Sequence, residues 1–202
     1  MIQKAVTHLK SVDPVLAGLM DKIGPVTIRA RRIPVFQSLV QSITYQQLSG
    51  KAAGTILSRF KALFGDGRFP MADQVLAMDL ERLRSAGLSK PKANYIRGVA
   101  ERAVSGALPA LHECDKLADA EIIQRLTEIK GVGRWTAEMF LIFNLGRLDV
   151  LPVHDLGVRR GFQIAYRKRK MPEPERLERI GEMWRPYRTV AARYLWRAVD
   201  SL

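Results

Sequence analysis

Cysteine is nearly missing from this 202-residue chain, in which Cys114 stands alone. One thiol forms no intramolecular disulfide and cannot supply the four ligands of an iron–sulfur cluster. The shortage points to a reducing compartment, and the cytoplasm is the expected location. Histidine is scarce as well. His8, His112 and His154 are scattered, and "HEC" at 112–114 lacks the spacing of a zinc site, so no metal site is expected. No apolar run approaches the roughly 20 residues needed to cross a bilayer. The opening "MIQKAVTHLKSVDP" lacks the apolar stretch and small-residue cleavage site of a secretory signal. No membrane partner is therefore expected. Neither G-x-x-x-x-G-K-[ST] nor G-x-G-x-x-G occurs, which leaves nucleotide hydrolysis without a phosphate cradle.

What the chain does have is positive charge and apolar mass. Thirty-three Lys and Arg against twenty Asp and Glu give a formal net charge of +13. Such a field attracts polyanions, nucleic acid foremost. From Arg159 onward the charge is concentrated in "VRR", "YRKRK", Arg185, Arg188, Arg193 and Arg197. A charge run is more often a solvated face, so charge alone gives nucleic acid only a modest edge. The 47% hydrophobic content supports a substantial core and argues against disorder.

Nearly every segment has helical period. Val35, Phe36, Leu39, Val40 and Ile43 line one face, and a second helix runs through "GKAAGTILSRFKALF". "FGDGRFP" is a turn-rich break. Short helices follow from Val75 to Leu83, and Ser89 with Pro91 starts the next. "SGALPALHECD" reads as a loop, and only "VTIRA" hints at a strand. The expectation is an all-α chain of two helical subdomains with a cleft between them. They span roughly 30–115 and 116–202, with the N-terminal helices packing on the latter.

One stretch stands apart. It is "EIKGVGRWTAEMFLIF", from Glu128 to Phe143, where a helix spaced by Ile122, Leu126 and Ile129 runs into a Gly-x-Gly turn. Helical period resumes through Trp135, Ala137, Met139, Phe140 and Phe143. Gly131 and Gly133 permit a left-handed turn and a close backbone approach. The helix start beyond them presents N–H groups suited to a phosphate. Downstream comes "LPVHDLGVRRGF", in which Asp155 stands twenty residues after Trp135 and ahead of a further helix.

"LTEIKGVGRWTAEMF" resembles the helix-hairpin-helix of the DNA glycosylase superfamily, and "LPVHDLGVRRGF" looks like that superfamily's Gly/Pro-rich loop and aspartate. "SLVQSITYQQLSGKAA", "GLSKPKANYIRGVA" and "WRPYRTVAARYLW" resemble the DNA-3-methyladenine glycosylase II branch, in its compact form without an N-terminal β-domain. The likeness runs in order from roughly Asp13 to Trp196. It implies one glycosylase domain over residues 1–202 with a DNA-binding cleft. The implied activity is flipping and hydrolytic excision of 3-methyladenine and 7-methylguanine in base excision repair, leaving an abasic site. Relatives that also cleave the strand carry a lysine where Trp135 stands, so the resemblance implies a monofunctional enzyme. His154 stands where several relatives carry a second acid, and Met139 where some place a pocket aromatic.

The same resemblance distributes the roles. Asp155 becomes the catalytic carboxylate, although an aspartate before a helix also serves as a cap, and both can hold. Trp135, Trp196, Tyr45 and Gln46 become base-pocket residues. The sequence by itself does not separate Trp196 from Trp184, and an aromatic on a helix face is ordinarily core. Gln47 and Leu48 become the wedge that fills the stack behind a flipped nucleotide. Lys130, Gly131, Gly133, Arg134 and Thr136 become the phosphate grip, through backbone N–H groups and charge. The implied partner is double-stranded DNA with alkylated bases, bound by a monomer, nucleoid-associated in a bacterium. No cofactor is implied beyond a monovalent cation on the hairpin carbonyls. Two rival readings are a non-catalytic DNA-binding module and a bifunctional glycosylase/lyase.

Overall fold

A computed structural model describes residues 2–65 and 67–201 of the chain. In chain order the α-helices are α1 (Ile2–Val12), α2 (Pro14–Ile23), α3 (Val35–Tyr45), α4 (Gly50–Ala62), α5 (Ala72–Ala77), α6 (Leu80–Arg84) and α7 (Lys90–Val104). There follow α8 (Leu111–Cys114), α9 (Asp119–Thr127), α10 (Arg134–Met139), α11 (Leu156–Ala165), α12 (Pro174–Gly181) and α13 (Arg188–Ser201). A π-helical segment, Phe140–Leu145, continues α10, and a 3-10 turn, Glu182–Trp184, follows α12. The all-α expectation holds, with three local corrections. "VTIRA" forms no regular element: the described residues contain no strand, because a strand needs a neighbour to form a ladder. The expected loop around "ALHEC" holds the one-turn α8, where Glu113 reaches back to the N–H of Ala110 at 2.7 Å. The second hairpin helix widens to π at Phe140, which its apolar period does not reveal. The break at "FGDGRFP" contains position 66, which lies outside the described residues.

Several helix starts are written in single side chains. Asp13, Ser49, Asp79, Ser89 and Asp155 each accept backbone N–H groups of the turn they open. Each such cap is worth about 1 kcal/mol.

The chain divides into two compact units, residues 1–31 with 141–202, and residues 32–140. The division therefore falls at 140/141 rather than at 115/116. The reason lies in packing: α10 sits on α9 and α3, so the hairpin belongs with the helices that precede it.

In the first unit α13 packs on α11, α2 and α1. Its core gathers Leu9, Leu16, Leu19, Val158, Phe162, Leu177, Trp184, Val190 and Leu195. A buried carboxylate fastens it. Asp13 caps α2 through the N–H groups of Val15 and Leu16, and also accepts the Tyr166 hydroxyl and, at 2.8 Å, the Trp184 indole N–H. Burial and the neighbouring Asp13 push the Tyr166 phenol far above its ordinary value. In the second unit α7 packs on α3, α5 and α6, around Leu39, Ile43, Phe60, Val75, Leu83, Ile96 and Val99.

Candidate functional site

The first unit builds a carboxylate site from two helices that touch backbone to backbone. Gly157 and Gly161 lie one turn apart on the face of α11 that meets α13. A Cβ on Gly161 would fall onto the Leu195 carbonyl, and one on Gly157 would lie 2.8 Å from Cδ1 of Trp196. Only glycine admits so close an approach. That approach brings the first residue before α11 within reach of α13: Oδ1 of Asp155 accepts the indole N–H of Trp196 and the peptide N–H of Val158, both at 2.8 Å. Asp155 is thus the helix cap and the partner of a tryptophan at once.

The loop that delivers Asp155 is fixed from behind. Val150, Leu151 and Val153 are buried. Their backbone is held by Thr189, whose hydroxyl donates to the Arg147 carbonyl at 2.8 Å and accepts the Val150 N–H at 2.9 Å. Arg188 grips Asp149 through Nε and Nη2, at 2.8 and 3.1 Å. The Asp155 N–H closes the turn on the Pro152 carbonyl.

The three tryptophans now separate. Trp184 is fully buried and bonded to Asp13, so it belongs to the core. Trp196 is half-buried, with one face stacked on Phe143 at 5.7 Å between centroids and its edge on Asp155. Trp135 is 40% exposed at the second position of α10. Sequence reasoning missed Phe143 and the guanidiniums of Arg31 and Arg193, which lie 5.9 and 5.6 Å from its ring centroid. Arg193 had a signal, since it sits three residues before Trp196 and so shares its helix face. Burial, and then Arg197, draw the Arg193 pKa down from the ordinary arginine value.

The second unit builds the hairpin. Val132 donates its N–H to the Ile129 carbonyl at 2.9 Å, closing the turn. Gly131 takes φ 90°, and a Cβ there would run into the Tyr95 ring. Gly133 opens α10 without a side chain to cap it, and Lys130 and Arg134 are exposed beside it. Lys130 shares a groove with Lys90 and Arg97 of α7, whose positive charge is offset in part by Glu101 on the same lining.

Two expected phosphate contacts change character. The Thr136 side chain is 2% exposed, with its hydroxyl turned to Gln46, which leaves only its backbone N–H for a phosphate. Arg134 gives its Nε to Glu138 at 2.9 Å, so part of its charge is already answered.

Gln46 makes contacts that the sequence did not foretell. Expected in the base pocket, it donates its amide to the Gly131 carbonyl at 3.0 Å and to Thr136 at 3.3 Å. The amide nitrogen is thus engaged with the hairpin. The next residues project: Gln47 adopts φ 56° and is exposed, and Leu48 and Tyr45 are 41% and 42% exposed. Lys92 of α7 was not anticipated as a functional residue. Its ammonium donates to the carbonyls of Thr44 and Gln46 at 2.9 and 2.7 Å, while burial lowers its pKa. Among the described residues no His, Cys, Asp and Glu cluster could hold a metal ion.

Comparison with known proteins fits these local geometries. The family described as HhH-GPD superfamily base excision DNA repair protein matches residues 40–186. The DNA-3-methyladenine glycosylase 1 of Schizosaccharomyces pombe is 38% identical over 199 residues, covering 97% of this chain and 87% of the relative. Among solved structures, a 3-methyladenine DNA glycosylase of the same yeast in complex with abasic DNA superposes with a TM-score of 0.88 at 37% identity, covering 96% and 95% of the two chains. A DNA-3-methyladenine glycosidase of Bacillus halodurans gives a TM-score of 0.87 at 41% identity, covering 98% and 89%.

Proposed function

The chain belongs to the HhH-GPD superfamily of base excision DNA repair proteins, and from that premise we propose that it is a monofunctional DNA glycosylase acting on alkylated purines in duplex DNA. The observation that carries the proposal is Asp155 held by Trp196 and Val158 on one oxygen. A helix cap needs the bond to Val158 but not an aromatic N–H from another helix. The 38% identity to a relative named DNA-3-methyladenine glycosylase 1 supports the substrate class.

The chemistry follows from charge. As the N-glycosidic bond breaks, its electron pair leaves with the base, and C1′ of the deoxyribose becomes oxocarbenium-like. A fixed carboxylate stabilises that positive charge. Water then attacks C1′ and passes a proton to the carboxylate, giving the free base and an abasic site. A purine alkylated at N3 or N7 already carries positive charge, so the departing pair neutralises it and little acid assistance is required. 3-methyladenine and 7-methylguanine are the purines that fit. An electron-rich indole attracts such a base by about 0.5–2 kcal/mol, a role for Trp135 and for the Trp196 face turned away from Phe143.

The hairpin's part is to hold the DNA backbone at the start of α10, with Lys130 adding charge. Such contacts position without reading sequence. Gln47 and Leu48 fill the stack behind the flipped nucleotide. A monovalent cation suits the turn carbonyls between 129 and 133, which are neutral oxygens with a second lone pair beyond the bonds from Val132 and Gln46. It would add positive charge facing a phosphate. With tryptophan at position 135, no amine there can form a Schiff base with the sugar.

Incubation with methylated DNA, followed by chromatography of released bases, is the test. Release of methylpurines is expected; duplex binding with no base released at enzyme excess overturns the reading in favour of a binding module. Borohydride trapping checks the monofunctional part, and a covalent protein–DNA adduct would refute it.

A further inference from the structure

The turn that follows α3 is braced from two sides, and its strain explains why. Gln47 sits in the left-handed region at φ 56°, a conformation that a non-glycine residue holds only when its surroundings insist. Before it, α3 ends with carbonyls that the helix itself cannot satisfy. Lys92 takes two of them, those of Thr44 and Gln46, at 2.9 and 2.7 Å. Gln46 in turn reaches the hairpin through the Gly131 carbonyl and Thr136. Gly131 then closes against the ring of Tyr95, which stands one turn beyond Lys92 on α7. The circuit is closed: α7 holds the turn, the turn holds the hairpin, and the hairpin rests on α7.

We propose that Lys92 is a positioning residue for base extrusion, setting Gln47 in its projecting conformation by clamping the Thr44 and Gln46 carbonyls. Gln46 registers that setting against the phosphate-binding hairpin. The proposal rests on the glycosylase reading above. Lys92 touches no reacting atom; it acts through the backbone of the turn. The partial burial that lowers its pKa accords with an ammonium spent inside the protein rather than offered to DNA.

An ammonium at a helix end also stabilises the helix, so stability alone does not decide the matter. The test is a double-mutant cycle on the full chain with Lys92→Met and Gln47→Ala. It is read as single-turnover excision and as the fluorescence of 2-aminopurine beside the lesion. Lys92→Met is expected to bind undamaged duplex within about twofold of wild type, since phosphate contacts are retained. Excision and the 2-aminopurine rise should fall about tenfold or more, the scale of a misplaced group near reacting atoms. The double variant should be no worse than the poorer single one, because one change removes the projecting side chain and the other only its positioning. Losses that multiply would place Lys92 outside the wedge and overturn the proposal, as would unchanged excision. Should Lys92→Met fail to fold by circular dichroism, Lys92→Arg, which keeps the charge but not the two-carbonyl geometry, takes its place in the cycle. Wild-type chain that releases no base sinks the glycosylase reading by itself. The same cycle in 2-aminopurine fluorescence then decides for or against Lys92.

Discussion

Trp196 donates its indole N–H to Oδ1 of Asp155 at 2.8 Å across 41 positions of sequence. The bond gives the tryptophan two tasks, since its ring also stacks on Phe143. It also fixes which carboxylate oxygen faces α13 and thereby orients the other. A carboxylate oriented in advance costs no reorganisation when positive charge develops on a sugar.

Asp155→Asn should keep the fold and lose the chemistry. Asparagine retains an oxygen to accept from Val158 and Trp196, and it caps helices about as well as aspartate. Single-turnover excision of 3-methyladenine should drop about a hundredfold or more, the scale of losing a preorganised charge. Melting temperature serves as the folding control. A variant with normal excision per folded molecule would leave Asp155 as a cap and nothing else.

Trp196→Phe separates stacking from hydrogen bonding. Phenylalanine still has a ring for Phe143 but no N–H for Asp155, and one lost hydrogen bond should cost about 1 kcal/mol of stability. Excision should fall about tenfold with undamaged-duplex affinity little changed, because the deleted bond orients the carboxylate. Wild-type excision in this variant would show that Asp155 needs no support from α13.

Gly131→Ala should damage the hairpin directly. Alanine at φ 90° is strained, and its Cβ meets the Tyr95 ring; together these should destabilise the protein by about 1–3 kcal/mol. Duplex affinity by fluorescence anisotropy should fall, and the slope of log K against log salt should flatten as phosphate contacts are lost. An unchanged slope would remove the hairpin from the DNA interface.

Alkaline pH should unfold the protein through Tyr166. Burial, reinforced by Asp13, raises its folded pKa above the unfolded value near 10. Its stabilising contribution is complete below that value and declines as pH rises beyond it, because only the unfolded chain releases the proton. Absorbance titration at the phenolate band should therefore show a late component from Tyr166, beside that of the buried Tyr194, which ionises only as circular dichroism is lost. Tyr166→Phe should reduce that late component by one tyrosine and leave the share of Tyr194. Five tyrosines all titrating reversibly in the folded protein would contradict the buried Asp13 network.

The sequence by itself determined what short-range physics controls. Helical period marked α3, α4, α9 and the start of α10, and single side chains marked the caps at Ser89 and Asp155. The Gly-x-Gly spacing located the turn between two helices, whereas the catalytic role expected of Asp155 came from the family resemblance of the ordered motifs. The periodicity, cap and turn signals each operate within about two helical turns, where spacing and dihedral preference act directly.

Only the tertiary structure decided which distant groups meet. It sent Trp184 to Asp13 and Trp196 to Asp155, although both are tryptophans near the C-terminus with similar apolar neighbours. It bonded Gln46 to the hairpin, hid the Thr136 hydroxyl, and enlisted Lys92 for the turn at Gln47. It moved the unit boundary to the end of α10. These outcomes depend on how closely two helices approach, as at Gly161 and Leu195. The closeness of that approach is set by the combined shape of both surfaces, whereas periodicity records only which face of each helix is apolar.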